Sequence, residues 1–157
     1  MGETRMSPGK ISEKVVTDRL SWIEEMLGGI RALPLADLNA FVQDPRNVAA
    51  AESYLRRSLE ALLDMGRHIL AKAFGMAVSE YKSIPQGLRE AGILSEEETR
   101  LLRDMAGYRN RLVHFYDQVS TEELYTICAE RAGDVLQIAY CLRDWVASHP
   151  ELVDRAL

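Results

Sequence analysis

Cysteine is scarce in this chain, with only Cys128 and Cys141 among 157 residues. Placed on one helix, they would lie roughly 20 Å apart, too far for a disulfide. Stability must then come from a packed core, and two unpaired thiols suit a reducing compartment. Neither the cysteines nor His68, His114 and His149 fall at metal-ligand spacing, so no metal site is expected. Aromatic residues are few, at 7%. No run alternates apolar and polar residues as a strand would. Long apolar runs are missing too: none approaches the roughly 18 residues of a membrane helix, and residues 1–10 carry no apolar signal region. The expectation is a cytoplasmic protein with no membrane partner. Net positive charge is also absent. The balance of −5 argues against a general nucleic-acid coat protein but leaves room for one local basic site.

What the chain does contain favours helix. Leu, Ala, Glu and Arg are abundant, and apolar residues recur at steps of three and four. The length suits one domain with its own core. Ser12 can cap a first helix with the stripe Val16, Leu20, Ile23, Leu27 and Ile30, stopped by Pro34. Gly28-Gly29 near its end marks a bend or a close packing point. Asp44-Pro45 opens a second helix, expected over Pro45–Phe74 and ended by Gly75. Its stripe is Val48, Ala51, Leu55, Leu59, Leu62, Ile69 and Ala73. A loop or turn should cover 76–83, and Ser83-Ile84-Pro85 should open a short helix closed by Gly92. Ser95 with Glu98 and Ser120 with Glu123 both read as capping boxes. The second box would start one last helix with the stripe Leu124, Cys128, Val135, Ile138, Leu142 and Val146. The expected fold is all-α: an antiparallel four-helix bundle with one additional short helix. It occupies 11–149, between tails at 1–10 and 150–157.

The densest polar set is Tyr108-Arg-Asn-Arg-Leu-Val-His-Phe-Tyr116. Arg109 offers a permanent forked cation that fits phosphate oxygens. His114 can exchange a proton near neutral pH. Tyr116 carries a phenol that can donate a hydrogen bond or be modified. At about 100° per residue, Arg109 lies on the inward side with Leu102 and Met105, and His114 lies about 140° away, with Arg103, Gly107 and Asn110. A straight helix does not easily aim both at one atom. Either the helix loosens before His114 or a second copy completes the site.

The spacing Arg109-x4-His114-x-Tyr116 resembles the signature of HEPN domains, and specifically of HepT-like toxins. Asp64-Met-Gly-Arg-His-Ile-Leu70, Leu88-Arg-Glu-Ala-Gly-Ile-Leu94 and Met105-Ala-Gly-Tyr-Arg-Asn-Arg111 extend the likeness over most of 11–147. The resemblance implies a HEPN-like homodimer paired with a MntA-like nucleotidyltransferase antitoxin. It implies a toxin that cleaves RNA without metal, with His114 moving the proton, Arg109 stabilising charge on the phosphorane and Asn110 holding a phosphate oxygen or orienting His114. Arg103 and Arg111 would guide the RNA backbone. Tyr116 would receive AMP from the antitoxin. ATP would be used only by that partner as AMP donor, so no cofactor is expected in this chain.

Plainer readings stand beside these. Arg109 could be a helix-end cation complementing the dipole, and Tyr116 an amphipathic residue at a helix end. His68 could support the site from behind, although a packed, hydrogen-bonded core histidine is the commoner role. Tyr108 and Tyr125 could stack on bases or pack in the core. The alternative function is a non-catalytic HEPN module that binds a nucleotide or protein and serves as partner or substrate of a nucleotidyltransferase.

Overall fold

The computed structural model of the chain describes residues 3–5 and 9–156, apart from the side chains of 3–5 and of Tyr116. Helices dominate: α1 Glu13–Arg31, α2 Leu38–Gln43, α3 Pro45–Phe74, α4 Ile84–Glu90, α5 Glu96–His114, α6 Thr121–Glu130 and α7 Ala132–Ala147. Four short strands accompany them: β1 Glu3–Arg5, β2 Ile11–Ser12, β3 Met76–Val78 and β4 Val153–Asp154. The fold is all-α, and no helix among the described residues is long and apolar enough to cross a membrane.

Helix α3 is the spine. It packs along α1 and also touches α2, α4, α5, α6 and α7. Ala51, Leu55, Leu59, Leu62 and Ile69 of its expected stripe are buried, while Val48 and Ala73 sit at the margin of the core. Leu63, Met65 and Leu70 are buried as well, so α3 is covered on more than one stripe. Its ends are set locally. Asp44 accepts a hydrogen bond from the Arg46 backbone N–H at 2.9 Å, and Pro45 follows at the first helical position. Gly75 closes the helix at φ 64°, a left-handed conformation that suits glycine.

The other caps follow the same logic. Ser12 accepts from the Val15 N–H at 3.2 Å. Ser95 and Glu98 form the reciprocal capping box, at 3.1 and 2.8 Å. Gly92 adopts φ 77° one residue past the cap of α4, where the Ile93 N–H reaches Leu88 O at 2.9 Å. That is the Schellman arrangement. Ser120 caps α6, but Glu123 does not complete the expected reciprocal box, because both of its carboxylate oxygens accept from Arg111.

Several expectations shift. The segment 76–83 holds β3, which pairs antiparallel with β1, and the 3₁₀ turn Tyr81–Ser83. Of the expected N-terminal tail, residues 1, 2 and 6–8 lie outside the described residues, while Glu3–Arg5 supplies β1. The expected C-terminal tail contains β4, which runs parallel to β2. The last helix is two helices rather than one. Arg131, at φ −112° and ψ −7°, breaks it, and Gly133 follows as a poor helix former. The Arg131 guanidinium is held by Asp134 at 2.9 Å, the Tyr108 hydroxyl at 3.3 Å and Asp104 at 3.5 Å. The change of direction lets α6 lie on α2 while α7 reaches α1 and α5. The two thiols are free, and burial pushes Cys128 up to about 12.

His68 belongs to the framework. Its Nε2 accepts the Ser12 backbone N–H at 3.0 Å, tying α3 to the start of α1. Burial, then the charges of Lys72 and Arg19, lowers its pKa below 6.5. The fold therefore favours the neutral ring, and the stabilisation is present above about pH 6.5 and is lost as pH falls through the folded value. A His68→Gln variant, which keeps an acceptor but cannot titrate, should lose less stability than the wild type between about pH 7.5 and about pH 5.5 in denaturant melts. Parallel losses would show that His68 is not the titrating group.

The glycine pair makes a second, opposed prediction. A Cβ on Gly29 would lie 2.5 Å from the Tyr54 ring, whereas one on Gly28 would meet nothing within 4 Å. Gly29→Ala should destabilise by about 1–3 kcal/mol through overpacking. Gly28→Ala should stabilise by about 0.5–1 kcal/mol by helix propensity alone. Thermal melts that move both variants in one direction would refute the close-packing assignment.

Candidate active site

The C-terminal turn of α5 faces a cavity of about 540 Å³. Arg109, Asn110 and His114 line it from α5, with Phe115 just past the helix end. Arg67 lines it from α3, and Ser79, Glu80, Tyr81 and Lys82 close it from the segment that follows β3. Thus Arg109 and His114 of one chain open onto the same space. The helix does not loosen first, since it runs through His114 and ends at Phe115, φ −135°. A long arginine side chain on one flank and a short imidazole on the next can share a wide cavity without sharing a helix face.

A polar stripe on α3 holds the arginine. Glu60, Asp64 and Arg67 are spaced by four and three, so they share a face. Arg109 Nε donates to Glu60 Oε2 at 3.0 Å, and Arg56 Nη1 donates to the other oxygen of Glu60 at 2.9 Å. Asp64 Oδ1 accepts from Arg67 Nη2 at 2.6 Å and from the Tyr81 hydroxyl at 2.8 Å. The guanidinium carbons of Arg109 and Arg67 lie 4.6 and 4.9 Å from the centre of the Tyr81 ring. Burial and the bond to Asp64 raise the Tyr81 pKa, so its phenol is a donor near neutral pH.

Arg109 is 19% exposed at its side chain, and its Nη1 donates to Asn110 Oδ1 at 3.2 Å. Its Nη2 has no partner among the described residues and stays available to an anion. The amide nitrogen of Asn110 is likewise free among them. His114 and Phe115 are exposed, their rings meeting edge to face at 6.5 Å. The arrangement offers a held cation, a neutral donor and an exposed imidazole around one void, a set suited to binding a phosphodiester and moving a proton beside it.

Other expected residues lie elsewhere. Arg111 grips Glu123 through two nitrogens at 2.6 and 2.7 Å and reaches Gln118 O at 3.2 Å, which ties the turn after α5 to α6. Arg103 donates to Gln86 at 3.3 Å and lines a separate depression with Arg89, Glu96, Glu97 and Arg100. His68 faces Ser12. Tyr108 accepts from Arg131, and Tyr125 donates to Leu35 O at 2.6 Å and packs on Phe41, so both are framework residues. Tyr116 begins the 3₁₀ turn Tyr116–Gln118, and its side chain lies outside the described residues.

Five contributors, Glu60, Asp64, Arg67, Tyr81 and Lys82, were not expected from the sequence. A signal existed for three of them: the four-then-three spacing of Glu60, Asp64 and Arg67 marks one polar face on a stretch, 59–70, whose other residues apart from His68 are buried. Tyr81 and Lys82 lie in an irregular segment with no periodicity to read. Among the described residues, no three of His, Cys, Asp and Glu are grouped to hold a metal ion.

Comparison with known proteins gives the chain its family. The model of the family described as "Ribonuclease HepT-like" matches residues 23–141, and the chain belongs to that family. A protein of Archaeoglobus fulgidus named "Putative RNase" is 30% identical over 88 residues, 56% of this chain and 66% of that protein. The tRNA nuclease HepT of Aphanizomenon flos-aquae is 24% identical over 116 residues, 73% of this chain and 78% of that protein. Among solved structures, the tri-AMPylated HEPN toxin of Shewanella oneidensis in complex with MNT antitoxin superposes with a TM-score of 0.73 at 18% identity. That match covers 84% of this chain and 98% of the toxin, and it establishes the likeness of fold.

Proposed function

We propose that this chain is a toxin of the HepT type, a cytoplasmic endoribonuclease held in check by a nucleotidyltransferase partner. The observation that carries the reading is the convergence of Arg109, Asn110 and His114 on one cavity. The RNA 2′-oxygen attacks the neighbouring phosphorus, the bond to the 5′-oxygen breaks, and a 2′,3′-cyclic phosphate is left. His114 exchanges the proton of the attacking or departing oxygen. The free Nη2 of Arg109 meets the charge that builds on the phosphorane. Asn110 holds a non-bridging oxygen through its amide nitrogen. No step uses a metal.

The working form is a homodimer. Gly107 is exposed on the flank of α5 that carries Asn110 and His114, and an added Cβ there would meet nothing, so a second backbone can approach closely. Tyr116 is the modification site. Its phenol oxygen attacks the α-phosphate of ATP on the partner enzyme, a tyrosyl–phosphate bond forms, and pyrophosphate leaves. Negative charge and bulk two residues from His114 then shut the cavity to RNA. The tri-AMPylated state in the name of the Shewanella toxin supports this reading.

The purified chain should sediment as a dimer and cut single-stranded RNA in excess EDTA. His114→Ala and Arg109→Ala should each lower kcat/KM by at least about 100-fold while the dimer persists. RNA left intact by folded wild-type protein would sink the nuclease and favour a binding module. After incubation with the partner and ATP, adenylyl mass should appear on the peptide containing Tyr116. Label on other peptides alone would remove Tyr116 from the account.

A further inference from the structure

The cavity holds more cationic chemistry than one phosphate requires. Arg109 already has its anion in Glu60 and its opening in Nη2. On the wall formed by α3 and the 3₁₀ turn stand two further cations, Arg67 and Lys82, and the cleavage described above uses neither. Resting on the ribonuclease reading, we propose that Arg67 and Lys82 form a second phosphate subsite, which takes the phosphate next to the scissile one in a single-stranded RNA.

Geometry supports the pairing of the two positions. Arg67 and Arg109 both stack against Tyr81, so their guanidinium carbons can be no farther apart than the 4.9 and 4.6 Å distances laid end to end. Two cations within that reach of one another on one cavity can meet neighbouring phosphates of one strand. Tyr81 fixes the span, since its hydroxyl is anchored on Asp64 and its ring lies against both guanidiniums.

The donors are available. Arg67 uses Nη2 for Asp64 and Nη1 for Ser79 O at a long 3.5 Å, which leaves most of its five N–H groups unspent. Its side chain is 37% exposed. Lys82 is 72% exposed and, among the described residues, pairs only with Glu80, at 3.5 Å, a surface pair that a phosphate can displace. The acids at the cavity are accounted for: Glu60 and Asp64 are occupied by Arg109, Arg56, Arg67 and Tyr81, and Glu80 sits beside Lys82. A chain with net charge −5 thus reserves a compact cationic row for one groove.

The test uses the intact chain and a fluorescent, 2′-O-methylated RNA single strand, which binds but cannot be cleaved by 2′-attack. Affinity is read by anisotropy across a salt series. Arg67→Gln and Lys82→Gln should each weaken binding about tenfold and lower the slope of log affinity against log salt by roughly 0.7, the loss of one single-strand phosphate contact. Arg100→Gln, at the other arginine cluster, removes the same charge and should leave both quantities unchanged. Lys82→Gln lies on an exposed turn and should keep the wild-type melting temperature, so an effect there is not unfolding. Unaltered slopes in Arg67→Gln and Lys82→Gln, or equal losses in Arg100→Gln, would overturn the subsite. Because binding is measured apart from cleavage, a wild type that binds through these residues yet cuts nothing would sink the nuclease and keep the subsite.

Discussion

A guanidinium withdrawn from solvent between two helices needs an anion beside it, and Glu60 meets that need for Arg109. The contact joins residues 49 positions apart and sets how α5 sits on α3. With Arg109 held at Nε, one outer nitrogen steadies Asn110 and the other has no partner among the described residues. Asn110 and His114 are then presented by the same turn of helix. The site is a consequence of where one partly buried charge finds its partner.

Helix α3 serves both the core and the site. Its apolar residues fill the interior from Ala51 to Leu70, while its polar stripe of Glu60, Asp64 and Arg67 emerges toward α5 and Tyr81. His68, one residue beyond the stripe, turns to the start of α1 instead. Neighbouring residues on one helix therefore brace opposite parts of the molecule. Around the site, Arg111 and Arg131 act as braces: the first fastens the turn after α5 to Glu123, the second fastens the α6–α7 junction to Tyr108 and Asp104. Of the three arginines first assigned to RNA, only Arg109 lines the cavity.

Membership of the HepT-like family and the convergence of Arg109, Asn110 and His114 support one another, but they are different kinds of support. The family concerns ancestry and fold. The cavity concerns chemistry, and it is the chemistry that suggests a phosphate ligand: fixed cations, a neutral amide and an exposed imidazole around a polar void. Tyr81 adds a flat, anchored surface between two of the cations.

The boundaries of α1, α3, α4 and the start of α5 were legible from residue order. The signals that set them, Ser12, Asp44-Pro45, Gly75, Gly92 and Ser95 with Glu98, act over three or four residues and need no distant partner. That Arg109, Asn110 and His114 share one helix was legible too, since all three lie within α5, whereas Tyr116 falls past its end. The break at Arg131 was not, since the apolar stripe continues across it and the side chains that hold the kink come from α5 as well as α7. Nor were the roles of Glu60, Asp64, Arg67 and Tyr81, nor the diversion of Arg111 to Glu123. Sequence alone determines which residues carry charge and which face of a helix they occupy. Only tertiary packing decides which opposite charge each one meets, and so which cations are braces and which remain open to a ligand.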